Sequence, residues 1–179
     1  YCNFSISKRY PLIEFITSFL FVLCLMSRGW IDSLSSDLFI VISGWILVSY
    51  LIVLAFIDVE NMILPNSITY SGSLVGLSLI LYYSYFLKNV SDNFLFEHLY
   101  AYILAFICVS LFSYFVQLVI KKPGLGGGDA KLFAMSGIWL GLEGLEVTVA
   151  LSFLISALFV LIGLIFRFIR RGEYIPFGP

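Results

Sequence analysis

Long apolar runs recur along this chain at close intervals, with no acid or base in the middle of any of them. A helix rises about 1.5 Å per residue, so about 20 apolar residues cross a hydrocarbon layer about 30 Å thick. Six runs meet or approach that length: Pro11–Ser27, Leu38–Ile57, Ser67–Leu87, His98–Ile120, Ala130–Leu142 and Val147–Ile169. The expected fold is therefore all-α, a polytopic membrane helix bundle with six transmembrane helices. The fifth run is short for a full crossing. It gains length by tilting, from the Gly-rich segment before it, or from Gly144–Glu146 after it.

Composition agrees with lipid as the solvent. The chain is 61% hydrophobic and 12% charged over 179 residues, against about 45–50% and about 25% in soluble domains. A chain this short cannot hide that excess in one core. A cytosolic enzyme, a nucleic-acid reader and a secreted disulfide scaffold are thereby excluded. The net charge of −1 gives no attraction to nucleic acid. Cys2, Cys24 and Cys108 form no disulfide framework. A single histidine, His98, builds no His-rich metal cluster, so no metal site is expected.

The basic residues orient the runs. Six crossings leave both ends of the chain on one side. That side holds Lys8, Arg9, Lys121, Lys122, Lys131, Arg167, Arg170 and Arg171, and the other holds Arg28 and Lys88. The positive-inside rule makes the first side cytoplasmic. The far-side connections, Arg28–Asp37, Lys88–Glu97 and Glu143–Glu146, are short, so any chemistry is expected in the cytoplasmic segments.

Two aspartates in those segments stand out. Asp58 ends the second run directly after Val53-Leu54-Ala55-Phe56-Ile57, at the hydrocarbon boundary, where a carboxylate is partly desolvated. By itself it also reads as an acid stopping a helix in the headgroup region. Asp129 follows Gly126-Gly127-Gly128 and reads equally as the N-cap of the fifth helix. The glycine run is neither a Walker A loop nor G-x-G-x-x-G. It suits close approach of another backbone, such as an extended peptide beside Asp129, or a flexible turn. Both acids fall at one depth on one side. Two carboxylates brought together in a low-dielectric site share a proton, as aspartyl proteolysis requires.

These residues resemble the bacterial type IV prepilin leader peptidases, membrane aspartyl proteases of the GxGD type. Gly126-Gly127-Gly128-Asp129 stands as GxGD. Lys122-Pro123-Gly124-Leu125 leads in, and Ala130-Lys131-Leu132-Phe133-Ala134, Gly137, Trp139 and Gly141 follow. Ile57-Asp58 with Leu64-Pro65-Asn66 resembles the segment of the first catalytic aspartate. Arg9-Tyr10-Pro11-Leu12-Ile13-Glu14 and Ile175-Pro176-Phe177-Gly178-Pro179 resemble family segments near the two ends of the chain.

The resemblance implies an endopeptidase that cleaves the basic leader of a type IV prepilin or pseudopilin at the cytoplasmic face of the bacterial inner membrane. It implies Asp58 and Asp129 as the catalytic pair, with Gly126, Gly127, Gly128 and Lys131 in the active-site loop. Glu60 is the rival acid near the first site. Lys131 either steadies the charge on Asp129 or is one more cytoplasmic basic residue. Proteolysis needs no cofactor, and S-adenosylmethionine is the donor where the mature N-terminus is methylated. Three departures accompany the resemblance. Asn66 stands where many members carry an acid. Cys2 alone remains of the metal-binding cysteines, and one thiol makes no four-ligand zinc site. Residues 1–179 read as one transmembrane peptidase domain lacking a first and a last helix. The competing expectations are a small transporter or channel using membrane-edge acids, and an inactive peptidase-like scaffold.

Overall fold

The computed structural model describes residues 9–26, 34–61, 63–86, 93–120 and 126–166. Lys8, Arg28, Lys88, Lys121, Lys122, Arg167, Arg170 and Arg171 lie outside the described residues. So do Cys2, Pro123, Gly124, Leu125 and the run from Ile175 to Pro179. Every element among the described residues is a helix: α1 Arg9–Met26, α2 Leu34–Asn61, α3 Asn66–Phe86, α4 Phe94–Ile120 and α5 Gly127–Ile165. Three apolar stretches are long enough to cross a membrane, Leu38–Asn61, Phe94–Val119 and Gly127–Gly163, and Tyr10–Met26 is a shorter apolar helix. Large side chains such as Phe96, Ile107, Leu111, Phe115 and Phe159 are exposed along these helices. Exposed apolar surface on helices of that length points to a membrane protein.

The helices begin where local chemistry allows. At α3, the Pro65 carbonyl accepts from the N–H groups of Ile68 and Thr69, both at 3.2 Å. At α4, the Asn93 carbonyl accepts from the Glu97 N–H at 2.9 Å, and Glu97 places its charge in the first turn. Helix α3 is rich in hydroxyls. Ser71, Ser73 and Ser78 each turn theirs back onto a carbonyl three or four residues earlier, at 2.7–3.0 Å. Polar groups satisfied inside one helix remain tolerable in apolar surroundings.

The chain forms two compact units, residues 1–53 and 54–179, divided within α2. In the first unit, Trp45 of α2 stacks on Phe21 of α1 with ring centroids 5.4 Å apart. Its indole N–H donates to the Phe21 carbonyl at 3.1 Å.

In the second unit α5 is the central element, packed on both α3 and α4. It is broken at Gly141, which has φ 69° and ψ −171°. The break reverses the chain, as contacts along α4 demonstrate. A Cβ on Gly141 would lie 3.2 Å from the His98 ring, and one on Gly137 would lie 2.8 Å from the Ala101 carbonyl oxygen. The first arm, residues 127–140, therefore runs antiparallel to α4. Beyond the break, Phe153 meets Phe112 with ring centroids 6.1 Å apart. Residue 112 lies about 21 Å along α4 from His98, and residue 153 about 18 Å along the helix from Gly141. Only a second arm that turns back beside α4 brings those rings together. Ala101, Ala105, Phe133 and Leu145 form the core between α4 and the two arms, with Val109, Leu142 and Val149 packed against it.

This geometry corrects one expectation. Glu143–Glu146 is not a connecting loop but helix, and the turn is the single residue Gly141. The φ of 69° is left-handed, and with this ψ the backbone sits in a region that essentially only glycine occupies. A turn frees the last carbonyls of the arm before it. One is recovered by His98, whose Nδ1 lies 2.8 Å from the Ile138 oxygen. A carbonyl only accepts, so Nδ1 carries the proton.

Helix α3 runs alongside the first arm in the same direction. Leu64 and Asn66 meet Gly128 and Lys131 at its start, and the Trp139 indole N–H donates to the Gly72 carbonyl at 3.0 Å farther along. The end of α2, the start of α3 and the start of the first arm thus share one end of the second unit.

Candidate active site

Asp58 lies in the last turn of α2 and is 7% exposed, although Val59 and Glu60 beside it are exposed. The helix ends at Asn61, and residues 63–65 lead through Pro65 into α3. Asp58 is therefore buried in the turn where α2 ends.

Asp129 lies in the first turn of α5 and is 9% exposed. Its local role differs from the N-cap expected of it. The helix starts at Gly127, two residues before Asp129, so Asp129 is the third helical residue. Its Oδ2 accepts from the Gly126 N–H at 3.1 Å, and its own N–H donates to the Gly126 carbonyl at 3.0 Å. This is the reach-back half of a capping box, which satisfies a donor that the helix itself leaves free. Two of the three consecutive glycines are thereby drawn into the helix.

Asp58 and Asp129 are the two buried acids among the described residues. Both belong to the second unit, so the geometry that relates them is internal to it. Two of the buried polar residues of the chain are thus acids at one end of one unit.

The glycine run is not uniform. A Cβ on Gly127 would meet nothing within 4 Å, and one on Gly126 would meet only ordinary contacts, the nearest being Asp129 Oδ2 at 3.7 Å. A Cβ on Gly128 would lie 2.8 Å from Leu64 Cβ. The close contact at Gly128 is with a side chain, Leu64, of the segment between α2 and α3.

Lys131 is two residues beyond Asp129. Its ammonium donates to Asn66 Oδ1 and lies over the Tyr70 ring, 5.5 Å from the centroid. Asn66 and Tyr70 are one helical turn apart on α3 and present one face to it. Neither contact was readable from the sequence, because the partners are far apart in the chain. His98, read as a solitary histidine, is the donor at the Gly141 turn, toward the other end of the first arm. Among the described residues, no group of three or more His, Cys, Asp or Glu is placed to hold a metal ion.

Residues 45–162 match the type IV leader peptidase family. A prepilin leader peptidase/N-methyltransferase of Neisseria gonorrhoeae is 34% identical over 180 residues, covering 99% of this chain and 56% of that protein. Those of Aeromonas hydrophila and Pseudomonas aeruginosa are each 33% identical, covering 99% of this chain and 57% of each relative. The chain thus spans a little over half the length of these curated relatives. No solved structure matches it. The matched region holds Asp58, the glycine run, Asp129 and the Gly141 turn, and on that extent the chain belongs to the type IV leader peptidase family.

Proposed function

We propose that the complete protein is an aspartyl endopeptidase that removes the leader of a type IV prepilin or pseudopilin, with Asp58 and Asp129 as its catalytic pair. The observation that carries this reading is that both acids are buried at one end of one unit. Interacting carboxylates in a site poor in water share one proton. The ionised acid takes a proton from the attacking water, and the protonated acid donates a hydrogen bond to the scissile carbonyl. The hydroxide equivalent adds to the carbonyl carbon. The proton is then returned to the leaving nitrogen, and neither acid is covalently modified. The Gly126 N–H bond to Asp129 Oδ2 orients that carboxylate and leaves its other oxygen for substrate or water.

The same reading extends to the membrane arrangement. The reversal at Gly141 makes two antiparallel arms of the fifth and sixth runs. With α1 to α4 that gives six crossings, both ends of this chain on the cytoplasmic side of the inner membrane, and the acid pair facing the cytoplasm. The uneven distribution of lysine and arginine supports this orientation. The relatives are prepilin leader peptidases by name, which favours a peptidase over a transporter or an inactive scaffold. Those names also include N-methyltransferase. Two carboxylates supply no methyl-transfer chemistry of their own, so no step here is assigned to S-adenosylmethionine.

The test is cleavage of a prepilin by the full-length protein, followed by mass spectrometry of the pilin. Asp58→Asn and Asp129→Asn each abolish loss of the leader while the protein still inserts in the membrane. Cleavage that persists in either variant removes that residue from the pair and overturns the mechanism.

A further inference from the structure

We propose that Lys131, Asn66 and Tyr70 form a positioning clamp that locks the segment following Asp58 onto the helix turn that carries Asp129. The proposal rests on the peptidase reading and names residues that act through the acid pair rather than on substrate.

A lysine at the start of an apolar helix carries a cost. Its stem can cover apolar surface while the ammonium reaches out to water. Here the ammonium instead turns to α3, where it donates to Asn66 Oδ1 and lies over the face of Tyr70. A charge-assisted hydrogen bond and a cation–π contact together hold one flexible side chain in one place. The side chain of Asn66 is exposed, but its backbone is fixed. Asn66 is the first residue of α3, and that turn is tied by the Pro65 carbonyl to Ile68 and Thr69. Thr69, buried in the same turn, adds a bond from Oγ1 to the Asn66 carbonyl at 3.1 Å.

The second half of the clamp is apolar. Leu64 lies against Gly128, close enough that no side chain fits between them. Gly128 and Lys131 are one turn apart on α5, and Asp129 lies between them in sequence. Leu64 and Asn66 are two residues apart on the short connection that begins just after α2 delivers Asp58. The connection is thus held at two points that bracket Asp129. Displacement of either point changes where one acid stands relative to the other, and small errors in catalytic placement are expensive.

Asn66 suits this task because its amide oxygen accepts from lysine without adding a third carboxylate beside the pair. The amide is not uniquely required. An aspartate at the same position would pair with Lys131 and hold it equally.

The experiment uses the full-length protein and a prepilin substrate. Asn66→Leu and Lys131→Met each lower kcat about ten-fold with KM within about two-fold. The double variant is no slower than the slower single variant, because one interaction is lost only once. Asn66→Asp stays within about three-fold of the parent, since the clamp is remade as an ion pair. Hydrogen exchange provides a readout independent of cleavage: amides of residues 63–70 exchange faster in both single variants and no faster in the double. Multiplying losses in the double variant, a KM effect in place of a kcat effect, unchanged exchange, or an Asn66→Asp variant as slow as Asn66→Leu each overturn the clamp. Failure of the peptidase reading is separately visible, as cleavage that survives Asp58→Asn and Asp129→Asn.

Discussion

Replacing the three consecutive glycines one at a time by alanine separates what the glycine run does from what it merely permits. At Gly127 a new methyl meets nothing within 4 Å. Alanine there gains up to about 0.5–1 kcal/mol by restricting the unfolded chain and favouring helix. At Gly126 the nearest atom is Asp129 Oδ2 at 3.7 Å, an ordinary contact, so alanine is tolerated. At Gly128 the methyl would stand 2.8 Å from Leu64 Cβ and 3.1 Å from its Cδ1. Carbon atoms pack best at about 3.5–4.0 Å, so about 1 Å of movement is forced. A Cβ cannot swing away as a side-chain tip does, so the backbone of residues 63–65 must shift. Overpacking of this kind costs about 1–3 kcal/mol. The same displacement, passed to the acid pair, lowers kcat by up to about a hundred-fold. The assay is prepilin cleavage and thermal unfolding of the full-length variants in one detergent. A suppressor sharpens it. Leu64→Ala leaves the 2.8 Å contact in place and restores Gly128→Ala only partly, whereas Leu64→Gly removes all three close atoms and restores it further. Gly128→Ala behaving as Gly127→Ala does, or no rescue by Leu64→Gly, would refute the reasoning.

Two further predictions concern the turn in α5. Gly141→Ala places a side chain at φ 69°, ψ −171° and 3.2 Å from the His98 ring, at a cost of about 1–3 kcal/mol for the backbone alone. Its unfolding midpoint falls below that of Gly44→Ala, whose methyl meets only Cys24 at 3.6 Å or beyond. Equal midpoints would show that the turn tolerates an ordinary residue. His98→Phe keeps an aromatic ring and removes the donor to the Ile138 carbonyl, leaving a buried acceptor at a cost of about 1–3 kcal/mol. Denaturation in detergent reads that loss, and a midpoint at or above the parent's contradicts the role given to Nδ1.

Much of the arrangement was legible because a bilayer imposes simple rules. Apolar run length located the helices, and alternation of direction put Asp58 and Asp129 at one end. The turn was misplaced for a physical reason. Glu143 and Glu146 interrupt the apolar pattern and read as a polar connection, yet three residues apart they lie on one helix face and both are exposed. Gly141 carries no polar signal at all. A reversal made by one glycine needs no loop when a histidine on the neighbouring helix takes up a carbonyl left free. Lys131 was legible as a residue near the site, but not its partners, since no local spacing links it to Asn66 and Tyr70.

What holds the helices at that shared end is packing volume rather than charge. Lipid tails are as apolar as leucine, so burial alone gives membrane helices little reason to associate, and close approach at small residues takes over. In the second unit the small residues fall along the first arm of α5. Gly137 meets the backbone at Ala101 on α4, and Gly76 of α3 leaves space that the Trp139 ring fills, 2.6 Å from where a Cβ would stand. Trp139 then donates to Gly72, one turn before Gly76 on α3. The arm is held on both sides by contacts with no tolerance for a methyl group, and Asp129 stands in its first turn. Those glycines therefore fix the arm on which the carboxylate stands, while Gly128 and Lys131 fix its first turn. Enlarging Gly76 or Gly137 should disturb the acid pair more than neutralising an exposed acid such as Glu60.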